Sequence, residues 1–124
     1  MELPPYITLL VKSLSPFSPN LNAQKDAHEM HFERSPKTVT VLWPNQVGEV
    51  FFDFMADGEL LLSQSVEYYG DEIGAEEATD VARTVENFLL NEIRVTEVGW
   101  FPKRTELQYL YGEKWRSVFV HSAQ

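Results

Sequence analysis

The chain opens on an apolar pattern that fits two periods at once. Tyr6, Ile7, Leu10, Val11, Leu14 and Phe17 follow the spacing of a helical stripe, while Ile7, Leu9 and Val11 also alternate as strand residues do. Pro4 and Pro5 stand just ahead of the stripe, where a first helical turn has no backbone bond to lose. The pattern therefore predicts a helix over residues 5–14, with a strand as the alternative. The run Ser15-Pro16-Phe17-Ser18-Pro19-Asn20 is a breaker cluster, and a polar connection is expected to continue to Ala27.

From His28 the period changes to two. Met30 and Phe32 alternate with Glu29, His31 and Glu33, and after a Ser35-Pro36-Lys37 turn Val39, Val41 and Trp43 alternate with Thr38, Thr40 and Leu42. Pro44-Asn45 closes that strand, and Glu49 to Phe54 makes a third. Asp57-Gly58 is a hairpin signal, because a type I′ turn needs two residues that accept positive φ. Leu60 to Tyr69 returns as a fourth strand, completing a meander. Strict alternation puts Val50, Phe52 and Phe54 on one side, and Phe51 and Met55, with Leu60, Leu62 and Val66, on the other. A helix can cover one such face; the other calls for a second helix, a loop or another chain.

Ala78, Val81, Ala82, Val85, Phe88 and Leu89 form the clearest helical stripe. Gly74 precedes it, and Glu76 and Glu77 are expected in its first turn, where carboxylates complement the helix dipole. Three more strands are predicted at Ile93–Val98, Glu106–Tyr111 and Trp115–Val120, the first two joined by a loop holding Phe101-Pro102-Lys103-Arg104. The order predicts an α+β domain spanning 1–124: a mainly antiparallel sheet of about seven strands, one long helix on a face, and the N-terminal helix.

Composition narrows the function. With 124 residues and 44% hydrophobic content, the chain can bury a core without staples, and it has no cysteine for a disulfide, a thiol nucleophile or a Cys-based metal site. Its first residues lack the basic start and cleavage site of a signal peptide, and no apolar run approaches the roughly 18 residues that cross a bilayer, so the cytoplasm is the expected compartment. Net charge is −9, which argues against nucleic acid and membrane partners. The charge is local: between Lys37 and Arg83 there are ten carboxylates and no Lys or Arg, so the remainder of the chain sums to +1.

Signals for chemistry are sparse. On a strand, the three-residue spacing of His28 and His31 puts them on opposite faces, so a shared metal is not expected. Gly-x-Ser-x-Gly elbows and Gly-rich phosphate loops are absent, and Asp71-Glu72-Ile73-Gly74 lacks the alternating oxygen ligands of a calcium loop. No catalytic residue, metal or cofactor is assigned. Asp53, among Phe51, Phe52 and Phe54, is the one acid placed where burial could make it a general acid or base; a partly solvated face is the plainer reading.

The acids are densest from Glu67 to Asp80. Glu67, Tyr68, Tyr69, Asp71, Glu72, Glu76, Glu77 and Asp80 are the candidate partner-binding residues, since aromatics in a charged field are a frequent interface composition. A solvated face that serves solubility is the competing explanation. Three functions follow as expectations. The first is an inhibitor or immunity-type protein, similar in size and acidity to small bacterial immunity proteins, that occupies a cationic site on a toxin or another basic protein. The second is a small acidic secretion-type chaperone or adaptor, whose doubly apolar strands would make a homodimer or a client groove. The third is an enzyme or small-ligand binder centred on Asp53.

Overall fold

A computed structural model describes residues 5–17, 19–23, 27–44, 48–68 and 72–118. The ambiguous N-terminal stripe is a helix, α1 (Pro5–Ser13), and a 3₁₀ turn follows at Ser15–Phe17. Tyr6, Ile7, Leu10, Leu14 and Phe17 are all buried. The helical period wins because it gathers these residues on one side, where they pack against the second helix, α2 (Glu72–Leu90).

Five strands form the larger sheet: β1 (Asn20–Ala23), β2 (Ala27–Arg34), β3 (Lys37–Pro44), β4 (Gly48–Ala56) and β5 (Glu59–Tyr68). They pair antiparallel in sequence order. The four-stranded meander is thus extended by β1, which lies in the stretch expected to be a polar connection. β1 is an edge strand held by backbone pairing to β2, with Leu21 opposite Met30. The remaining strands, β6 (Ile93–Val98), β7 (Arg104–Tyr111) and β8 (Lys114–Ser117), make a separate antiparallel sheet. Of the last predicted strand, Phe119 and Val120 lie outside the described residues.

The helix α2 touches β2 and β3 of the large sheet and β7 of the small one, and one core runs through all three layers. Phe88 meets Phe54 edge to face, with centroids 5.1 Å apart. Leu107 and Tyr109 are the buried apolar residues of β7. The helix begins earlier than its apolar stripe: Gly74 falls inside its first turn, and Glu76 and Glu77 in its second. A glycine is tolerated there because the first four N–H groups of a helix have no intrahelical bond to weaken.

Asp57 and Gly58 have φ of 54° and 77°, the left-handed pair a type I′ turn requires. Gly58→Ala adds a Cβ that meets nothing within 4 Å, so its cost is conformational alone, about 1 kcal/mol. Urea unfolding should show that loss with an unchanged m-value.

Beyond the turn, the pairing of β4 with β5 contains a bulge. Ala56 faces Glu59 and Met55 faces Leu60, but Phe54 then faces Leu62. Leu61 is the extra residue. Because side chains alternate with period two, one extra residue exchanges the two faces of everything after it. Leu62 and Val66, expected beside Phe51, therefore share the core side with Phe54 and Val50. Ser63 and Ser65 take the outer side. Among the described residues neither helix covers that outer side, where Phe51 and Leu60 are exposed.

Candidate functional site

The acidic stretch is distributed over two elements. Glu67 and Tyr68 end β5, while Glu72, Glu76 and Glu77 lie in the first two turns of α2. Tyr69 and Asp71 fall outside the described residues. Asp80 is exposed on α2, and its Oδ1 is 3.5 Å from Nη1 of Arg83. The acidic end of the stretch thus has a cation one turn away. Glu67 stands in register with Glu49 on the neighbouring strand. Like charges directly opposite on adjacent strands are destabilising by a few tenths of a kcal/mol, so folding alone does not favour this pairing.

The outer side of the large sheet carries a polar row that register alone creates. Asn20, His31, Thr40, Asp53 and Ser63 are successive partners across β1 to β5. Ser63 donates its hydroxyl proton to Oδ1 of Asp53 at 2.5 Å. His31 places Nδ1 3.0 Å from the Thr40 hydroxyl and Nε2 3.4 Å from Oε1 of Glu29. A carboxylate only accepts, so in the neutral ring Nε2 donates towards Glu29 and Nδ1 accepts from Thr40. Asp53 is half-buried, lining a shallow open depression with Leu42, Phe51, Ser63, Gln64 and Ser65.

This row does not assemble a nucleophile and its base. Neighbouring strands lie about 4.8 Å apart, which separates His31 on β2 from Ser63 on β5 by roughly 14 Å. Both ring nitrogens of His31 are already engaged. His28, as its spacing predicted, faces the opposite side, stacked on Trp43 at 5.6 Å. Among the described residues no three His, Asp or Glu side chains lie close enough to share a metal ion, and no helix is long and apolar enough to cross a membrane.

Two features escaped the sequence reading. One is the polar row, which depends on strand register and on the bulge at Leu61. The other is the tip of the β6–β7 hairpin, where Trp100 and Phe101 are 86% and 88% exposed. Adjacent aromatics between a glycine and a proline were a visible signal for it, since a loop has no core to bury them in. The small sheet also holds a polar network: Arg94 donates to Gln108, and Gln108 and Ser117 both donate to Glu106. The Arg94 guanidinium lies over the Trp115 ring, 4.2 Å from its centroid. These contacts fix the hairpin's root and leave its tip free.

Fold and site together define a two-sheet α+β fold whose acidic stretch runs from the end of β5 to the first turns of α2. The chain matches no family model, no curated protein and no solved structure.

Proposed function

We propose that this chain is an acidic protein-binding domain of the inhibitor or immunity type, which occupies a cationic site on a partner such as a toxin. The observation that carries the reading is the register of Glu49 against Glu67. That pairing costs stability by itself, and the chain runs from it into an α2 start bearing Glu72, Glu76 and Glu77. A basic partner surface would turn this repulsion into complementarity, steer association and exclude the partner's own anionic substrate.

A second reading, an acidic chaperone or adaptor, is favoured by Phe51 and Leu60 standing exposed on the uncovered outer side. Sedimentation separates the two, because that reading requires a dimer or a bound client.

The inhibitor reading is tested by immobilising the chain and identifying a basic protein retained at low ionic strength and released as salt rises. With that partner, D71N/E72Q/E76Q/E77Q should lower the association rate by about tenfold or more and leave dissociation nearly unchanged. An association rate indifferent to both salt and these four substitutions would sink the proposal.

A further inference from the structure

The β6–β7 hairpin ends in two aromatic rings that no described part of the chain covers. Trp100 and Phe101 are the most exposed large apolar residues of the described chain, with ring centroids 6.4 Å apart and a tilt of 49°. Gly99 takes a φ of 76°, and a Cβ there would stand 3.2 Å from the Pro102 carbonyl oxygen, so glycine lets the tip fold this closely. Lys103 and Arg104 follow at once. Lys103 Nζ is 4.0 Å from Glu97 and Arg104 Nε 3.8 Å from Glu106; both cations are largely exposed, and pairs this long and wet hold them only weakly.

The hairpin also reverses the sign of the protein. Across the hairpin, residues 93–111, there are three basic and two acidic side chains, a surplus of +1, whereas the rest of the chain carries seventeen acidic and seven basic, −10. At physiological salt the screening length is about 8 Å, so a ligand at the tip feels the charges of the tip far more than those elsewhere on the chain.

We propose that this tip is a peripheral docking site for an anionic lipid surface. Trp100 and Phe101 enter the interfacial layer, and Lys103 and Arg104 meet the headgroup phosphates. Charge selects an anionic occupant. Area selects a membrane over a folded partner: two aromatic side chains present about 150–250 Å² each, well short of the roughly 800 Å² per side of a stable protein interface. A bilayer surface needs only a few interfacial aromatics together with basic residues. The expectation of no membrane partner is drawn from net charge, which averages over surface that a bilayer touching the tip never meets. The proposal is independent of the acidic stretch.

The test is co-sedimentation of the whole chain with phosphatidylcholine vesicles, with and without about 30% phosphatidylserine to supply anionic headgroups. Binding is expected to the anionic vesicles, several-fold weaker without phosphatidylserine, and accompanied by a blue shift of tryptophan emission. W100S/F101S should lower the partition coefficient at least about tenfold, and each charge removed in K103Q/R104Q about fivefold. All four positions are exposed, so each variant should keep the parent's melting temperature. Three outcomes overturn the proposal: no preference for anionic vesicles at low salt, full binding by W100S/F101S, or self-association of the parent without vesicles that W100S/F101S abolishes. The last would make the tip a contact between copies of the chain.

Discussion

Phe88→Ala is expected to remove about 3–5 kcal/mol of folding stability. Phe88 has no exposed surface, and its ring meets Phe54 of β4 edge to face. Truncation removes its burial and leaves a cavity where α2 meets the large sheet. Interiors packed to crystalline density relax only partly around such a void. Phe88→Leu, which keeps most of the volume, should lose less than half as much. A double-mutant cycle with Phe54→Ala should return a coupling of roughly 0.5–1.5 kcal/mol for the ring pair. Urea unfolding measures all of these, and a loss below about 1 kcal/mol for Phe88→Ala would contradict its place in the core.

The second large effect belongs to Lys37. Its ammonium donates to the backbone carbonyls of Phe88, at 2.9 Å, and of Asn91, and lies 5.6 Å from the Phe88 ring centroid. Those carbonyls sit at the C-terminal end of α2, where a helix has acceptors without intrahelical donors and its dipole favours a cation. Lys37 thus ties the start of β3 to the end of α2. Lys37→Met keeps the apolar stem and removes the donors, and should cost about 2 kcal/mol.

The same residue gives a pH signature. Burial, and after it the positive charge of Arg34, hold the Lys37 ammonium below its ordinary value of 10.5 despite its carbonyl acceptors. In the window below 10.5 the unfolded chain therefore keeps a proton that the folded chain has released. Stability rises with pH wherever the unfolded state binds more protons. The neutral amine retains two N–H donors for its two acceptors. The stability advantage of the parent over Lys37→Met should accordingly widen as pH climbs through that window, and stay flat below it. A parallel course for the two proteins would show that Lys37 does not titrate early.

Much of the fold was legible because it rests on side-chain periodicity. The stripe from Ala78 to Leu89 marks the buried face of α2, and alternation about Met30, Phe32, Val39 and Val41 marks β2 and β3. Asp57-Gly58 announced its turn, since few residues accept two positive φ angles in succession. The edge strand β1 was not legible. Asn20-Leu21-Asn22-Ala23 contributes backbone hydrogen bonds to β2, and those leave no mark on residue type. Nor does periodicity say which strands share a sheet; the separation of β6–β8 follows from α2 packing against both sheets.

The candidate site divides the same way. The sequence by itself determined that this chain has an α+β fold with a concentrated acidic stretch, and that His28 and His31 face opposite sides, because composition and alternation are local properties. Only the tertiary structure decided which residues stand opposite one another. The extra residue Leu61 turns Leu62 and Val66 to the core side, sets Ser63 against Asp53 and brings Glu67 opposite Glu49. A single-residue shift in a two-residue period inverts a strand, and nothing in the order of residues marks where the partner strand will absorb it.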